Sequence, residues 1–158
     1  MNRLITALFL SLTATLTSGA AQAATPVELS SDVYVEKHIK RANGQTATVL
    51  EKPNMVIPGD NLVFVVKYRN SGAAPASKFV VTNPLPAAVA FNGTSDGLEV
   101  VSIDGGKSWG FLPALRVRGE NGQARPALMA DVTHIRWNLN QTLASGSEGK
   151  LIFRGIVK

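Results

Sequence analysis

Apolar and polar residues alternate along most of the chain, the two-residue period of half-buried strands, and no stretch after residue 24 sustains a helical period. Val33, Val35 and Ile39 fall on one face of a first strand, with Tyr34, Glu36, His38 and Lys40 on the other. Asn43-Gly44, a pair that accepts positive φ, closes a hairpin onto Thr46–Leu50. Pro53 and then Ile57-Pro58-Gly59-Asp60 interrupt the pattern before its strongest run, Leu62–Arg69. There Leu62, Phe64, Val66 and Tyr68 share one face, while Val63, Val65, Lys67 and Arg69 share the other, so one end is more solvated. Asn70-Ser71-Gly72 ends that strand and Phe79–Thr82 begins the next. Asn83-Pro84-Leu85-Pro86 is expected to stop it, because proline has no N–H for a ladder.

Short strands follow at Val89–Phe91, Leu98–Ile103 and Leu115–Val117, with Gly119–Pro126 as a polar hairpin tip or loop. Val132–Leu139 places Ile135, Trp137 and Leu139 inward and His134, Arg136 and Asn138 outward, and Leu151–Val157 is the last strand. Seven to nine short strands with frequent turn signals predict an all-β antiparallel sandwich. A closed barrel fits the uneven strand lengths less well.

The start of the chain is set apart from this pattern. Arg3 precedes an apolar stretch from Leu4 to Leu16, and Ala21-Gln22-Ala23 forms a small-x-small cleavage signature that makes Ala24 the new first residue. Thirteen residues fall short of the roughly 20 needed to cross a bilayer as a helix. Residues 1–23 therefore read as a bacterial secretory signal and 24–158 as one domain in the periplasm or outside the cell, with no stable membrane insertion after cleavage. Removing 23 residues, Arg3 among them, leaves 135 residues and lowers the net charge from +5 to +4. A domain of this size buries enough surface to fold without staples. The chain has no Cys, which excludes disulfides, thiolate metal sites, a cysteine nucleophile and a lipoprotein anchor.

Ile57-Pro58-Gly59-Asp60, a strand ending Tyr68-Arg69-Asn70-Ser71-Gly72, and Val80-Val81-Thr82-Asn83-Pro84-Leu85-Pro86 carry a recognisable pattern. Together with Ile135-Arg136-Trp137 and the closing strand, they resemble the domain-of-unknown-function 11 family over residues 33–158. Asn83 stands where that family usually has Asp. The resemblance implies an immunoglobulin-like sandwich of bacterial and archaeal surface proteins, here in single copy and without established catalytic residues. It singles out Pro58, Gly59, Asp60, Asn70, Gly72, Leu85 and Pro86 as turn positions.

Ser102-Ile103-Asp104-Gly105-Gly106-Lys107-Ser108-Trp109 fits the Asp-box pattern, in which Ser102, Asp104, Gly106 and Trp109 form a hairpin clasp. A short acceptor at the entry, glycine at positive φ and an aromatic plug suit a self-contained turn better than a sugar site. His38 and His134 lie far apart in sequence with no partner spacing, and Asp96, Glu99, Asp104 and Asp131 are scattered, so no metal site is expected. No nucleophile elbow, Ser-x-x-Lys pair or phosphate loop occurs, so no catalytic residue and no cofactor are assigned. Lys37, Lys40 and Arg41, and separately Arg116, Arg118 and Arg125, form basic groups without interleaved aromatics, poor support for nucleic acid. Asn92-Gly93-Thr94 and Asn140-Gln141-Thr142 are formal sequons expected to be bare turns.

These readings predict an exported, non-enzymatic envelope or surface protein acting by adhesive or protein–protein contact, its partner another envelope protein or a second copy. One alternative is a filament subunit that donates Ala24–Lys40 as a strand. A carbohydrate-binding module, with a surface polysaccharide as partner, is the other.

Overall fold

The computed structural model describes residues 27–119 and 122–158; the leader and its cleavage residues Ala21, Ala23 and Ala24 lie outside them. Alternation over residues 61–70 gives the central strand, β3 (Asn61–Asn70), which pairs antiparallel with β1 (Val27–Lys40) on one side and β10 (Glu148–Val157) on the other. The flanking strands are β2 (Thr46–Glu51) beside β1 and β5 (Val89–Thr94) beside β10, giving the sheet order β2-β1-β3-β10-β5. A second antiparallel sheet is ordered β4 (Phe79–Pro84), β9 (His134–Leu139), β6 (Val100–Ser102). Between β6 and β9 the chain makes an excursion with a small hairpin, β7 (Arg116–Arg118) and β8 (Ala124–Pro126), flanked by 3-10 turns at Leu112–Ala114 and Met129–Asp131. The architecture is an all-β antiparallel sandwich, five strands facing three.

Side chains from both inner faces meet in one core: Val66, Phe91, Leu151 and Phe153 from the larger sheet, Val81, Val101, Ile135 and Trp137 from the smaller. Phe64 stacks on Phe153 with centroids 4.5 Å apart and rings 2° from parallel. Val35, Leu62 and Val89 extend the packing toward one end, with Leu85 touching both groups. Removing a ring such as Phe153 from such a core costs about 3–5 kcal/mol.

Four details depart from the alternation. First, β1 begins at Val27 instead of Val33, because Val27–Glu36 pairs with β3 before Val35–Lys40 pairs with β2. Second, past Glu36 β1 has no β3 partner, so β1 and β2 continue as a two-stranded ribbon and Ile39 meets solvent. Third, Val63 points to the outer face yet is buried, since Tyr34 and Arg154 flank it in register. Glu36 holds Arg154 at 3.4 Å, and Asp32 binds Lys67 at 2.9 Å and Lys52 at 3.2 Å on that same face.

The fourth concerns the stop at Asn83-Pro84-Leu85-Pro86: β4 ends inside this segment, but Asn83 still pairs with Ile135 and Pro84 with His134. The bond from Leu85 N–H to Thr133 C=O makes Leu85 a bonded position. By the alternation of an antiparallel ladder, Phe79, Val81 and Asn83 are then bonded to β9, and Val80, Thr82 and Pro84 turn their main chain the other way. Strand β4 is an edge, so the N–H that Pro84 lacks costs the ladder nothing.

Candidate functional site

The turn at 102–109 closes on itself. Ser102, fully buried, receives Gly106 N–H on Oγ at 2.8 Å and donates to Asp104 Oδ1 at 2.7 Å. Asp104 Oδ1 also accepts the N–H groups of Lys107 (3.0 Å) and Ser108 (2.9 Å), and Oδ2 accepts the Ser108 hydroxyl. These donors hold the Asp104 carboxyl well below the usual carboxylate range, the Ser108 hydroxyl foremost. Gly105 and Gly106 sit at φ 78° and 88°, where a side chain is strained. Trp109 donates its indole N–H to Gly106 C=O at 3.0 Å, Arg136 lies 3.6 Å above the ring centroid, and His134 meets the ring edge-on at 6.2 Å. The guanidinium thus occupies one indole face that a sugar ring would need.

The turn positions of the family resemblance fall at the two ends of the sandwich. Gly59, at φ 96°, donates to Val157 C=O, and Asp60 caps its own turn by accepting Ile57 N–H at 2.9 Å, which fastens the β2–β3 loop to the end of β10. At the other end Asn70 is fully buried. Its amide donates to Ala74 C=O (2.8 Å) and Leu143 C=O (3.0 Å), and its oxygen accepts Gly72 N–H (3.0 Å). Leu85 drops between the sheets, and Pro86 C=O receives Val89 N–H. Pro58 is exposed at the tip of its turn.

The scattered titratable groups stay apart. His38 is exposed on β1, 3.1 Å from the Thr48 hydroxyl; His134 lies on β9 in the other sheet, 3.0 Å from the Thr133 hydroxyl. Asp96 accepts Leu98 N–H, and Glu99 accepts the Thr94 hydroxyl. Asp131 takes both arms of Arg125 at 2.6 and 2.7 Å plus Leu128 N–H at 2.7 Å, and chiefly that guanidinium brings its pKa down to about 2. Among the described residues no three His, Asp or Glu side chains converge as a metal site, and no helix is long and apolar enough to cross a membrane. Arg116 bonds to Pro113 and Leu115 carbonyls, Lys37 to Glu51 at 2.7 Å, and Lys40 and Arg41 are exposed at the ribbon tip. In the two sequons Asn92 is exposed on β5 and Asn140 just beyond β9.

Alternation did not anticipate where the exposed apolar side chains concentrate. The ribbon carries Ile39 (44% exposed) and Leu50 (49%), and the adjoining β2–β3 loop carries Met55 (82%), Val56 and Ile57 (59%). The loop leaves β2 at Glu51, level with Val35, and re-enters at Asn61, level with Glu36, so these residues share one end of the molecule. The signal was present in the uninterrupted Met55-Val56-Ile57 between two proline-containing turns. No family model, curated protein or solved structure matches this chain.

Proposed function

We propose that this chain is an exported, non-enzymatic sandwich that works by contact with another protein of the cell envelope or surface. The apolar end carries this reading: Met55, Val56 and Ile57 are exposed in a run along the β2–β3 loop, and the adjoining ribbon exposes Ile39 on one face and Leu50 on the other. Soluble proteins seldom leave large apolar side chains clustered in water unless a partner covers them. The leader signature supports export, and the turns that resemble the domain-of-unknown-function 11 family support a surface-protein lineage. Lys40 and Arg41 at the ribbon tip suit a partner with an acidic rim.

The test joins export to contact. The exported protein should begin at Ala24 by intact mass, and when immobilised it should retain an envelope polypeptide in stoichiometric amount. Replacing Met55 and Ile57 by Ser should abolish retention while leaving the unfolding midpoint unchanged, because both side chains already face water. Equal retention by the double variant, or mature protein that still carries its leader, would overturn the proposal.

A further inference from the structure

The smaller sheet covers only part of the larger one. Phe79 of β4 meets Tyr68 of β3 with ring centroids 5.4 Å apart, and Trp137 of β9 lies 6.2 Å from Phe153 of β10, so β4 lies over β3 and β9 over β10. The next strand outward, β1, shows what this leaves open: Leu29 on its inner row is 53% exposed, and Ser31 is exposed. Toward the other end of that row Val33 and Val35 pack with Leu62, Leu85 and Val89, so the open part of the row is the stretch at Leu29 and Ser31. The free edge of β4 borders this ledge, and the N–H and C=O groups of Val80 and Thr82 point into it. Neither side of the ledge bears a charge, from Phe79 to Pro84 on β4 or at Val27, Leu29, Ser31, Val33 and Val35 on β1.

We infer that this ledge accepts one extended peptide strand from a partner protein, an uncharged segment with apolar residues at alternate positions. Outward main-chain donors and acceptors on an edge strand are met by another strand's main chain. One face of the incoming strand would lie above Leu29 and Ser31, which selects apolar residues at every second position. The overhang rules out a second copy joined through its own β4 edge. Two β4 edges joined antiparallel would set both five-stranded sheets on the same side, where each β1 would fall on the site of the other's β3. A lone strand, about 4.8 Å from β4, meets no such obstacle. Lys78, held at φ 55°, and Pro84, without an N–H, bound the usable length of the edge.

This site shares with the proposed function the premise of a protein partner but lies away from Met55 and Ile57. The probe is a neutral synthetic heptapeptide alternating Thr and Val, added to the purified protein while amide exchange is followed by NMR. The amides of Val80 and Thr82 should exchange at least tenfold more slowly with the probe. The same peptide N-methylated on the edge that faces β4 should have no effect. Thr82→Pro, which removes an N–H the β9 ladder does not use, should cancel the protection of Val80, and the Met55/Ile57 double serine variant should retain it. Unchanged exchange at both amides, or equal protection by the N-methylated peptide, would overturn the inference. So would protection in the free protein that grows with protein concentration, since a second copy would then occupy the edge.

Discussion

Asn70 spends both heteroatoms of its side chain on main-chain groups from two loops, residues 72–74 and 143, and so closes one end of the sandwich. Truncation takes a part-buried partner from the Ala74 C=O and the Gly72 N–H and leaves the Leu143 C=O with only the Ala76 N–H, so Asn70→Ala should cost about 2 kcal/mol in urea unfolding. A loss under about 1 kcal/mol would mean that the loops hold without it. In the sequence Asn70 reads only as a strand terminator, because its burial depends on residues 143–147 arriving from far along the chain. Asp131 allows a pH test. Its folded pKa of about 2 lies below the ordinary unfolded value near 3.9, so its ion pair with Arg125 stabilises fully above that value and is lost as pH falls toward 2. Asp131→Asn should be less stable than the parent near neutral pH, and the gap should close between about pH 4 and pH 2. A gap constant over that range in denaturant titrations would contradict the assignment.

Strands β3 and β10 meet across two glycines that behave differently. A Cβ at Gly155 would stand 2.3 Å from Val89 Cγ1 and 3.1 Å from the Ala90 carbonyl, with backbone on one side that cannot yield. One at Gly149 would strike only the Tyr68 ring, which lies across it and can swing outward. Gly155→Ala should therefore destabilise by about 2 kcal/mol or more, and Gly149→Ala by less, with altered tyrosine fluorescence. Equal losses in thermal unfolding would count against this. Alternation located the strands well where one face is buried, as in Leu62–Tyr68 and Ile135–Leu139. It put Val63 on the correct, outer face without showing that its neighbours' long side chains bury it there. Strand β4 ends inside Asn83–Pro86 as expected, the pairing of Asn83 and Pro84 themselves being a consequence of edge status, which is a property of the sheet. The Ser102–Trp109 clasp was legible because the bonds to the Ser102 and Asp104 side chains are local, although Thr133 also ties it from afar. Of the apolar end only the run Met55-Val56-Ile57 was legible, because the exposure of Ile39 depends on where β3 stops pairing with β1.

Across the molecule, pairing is uneven. The ribbon from residue 37 to 50 has only its own ladder, whereas β3 is paired on both sides along most of its length. Amides of Thr48 and Ile39 should exchange with solvent orders of magnitude faster than those of Val66, and comparable protection would show that the ribbon packs on something further. The arrangement around β3 also has a mechanical side. Strands β1 and β10 both run antiparallel to β3, so Val27 and Val157 lie at opposite ends of the sandwich. Tension applied through those two points loads both ladders along the strand direction. Their hydrogen bonds must then slide past one another together and cannot open one at a time. A domain held at those two points would, by this geometry, resist extension through the whole length of its central strand.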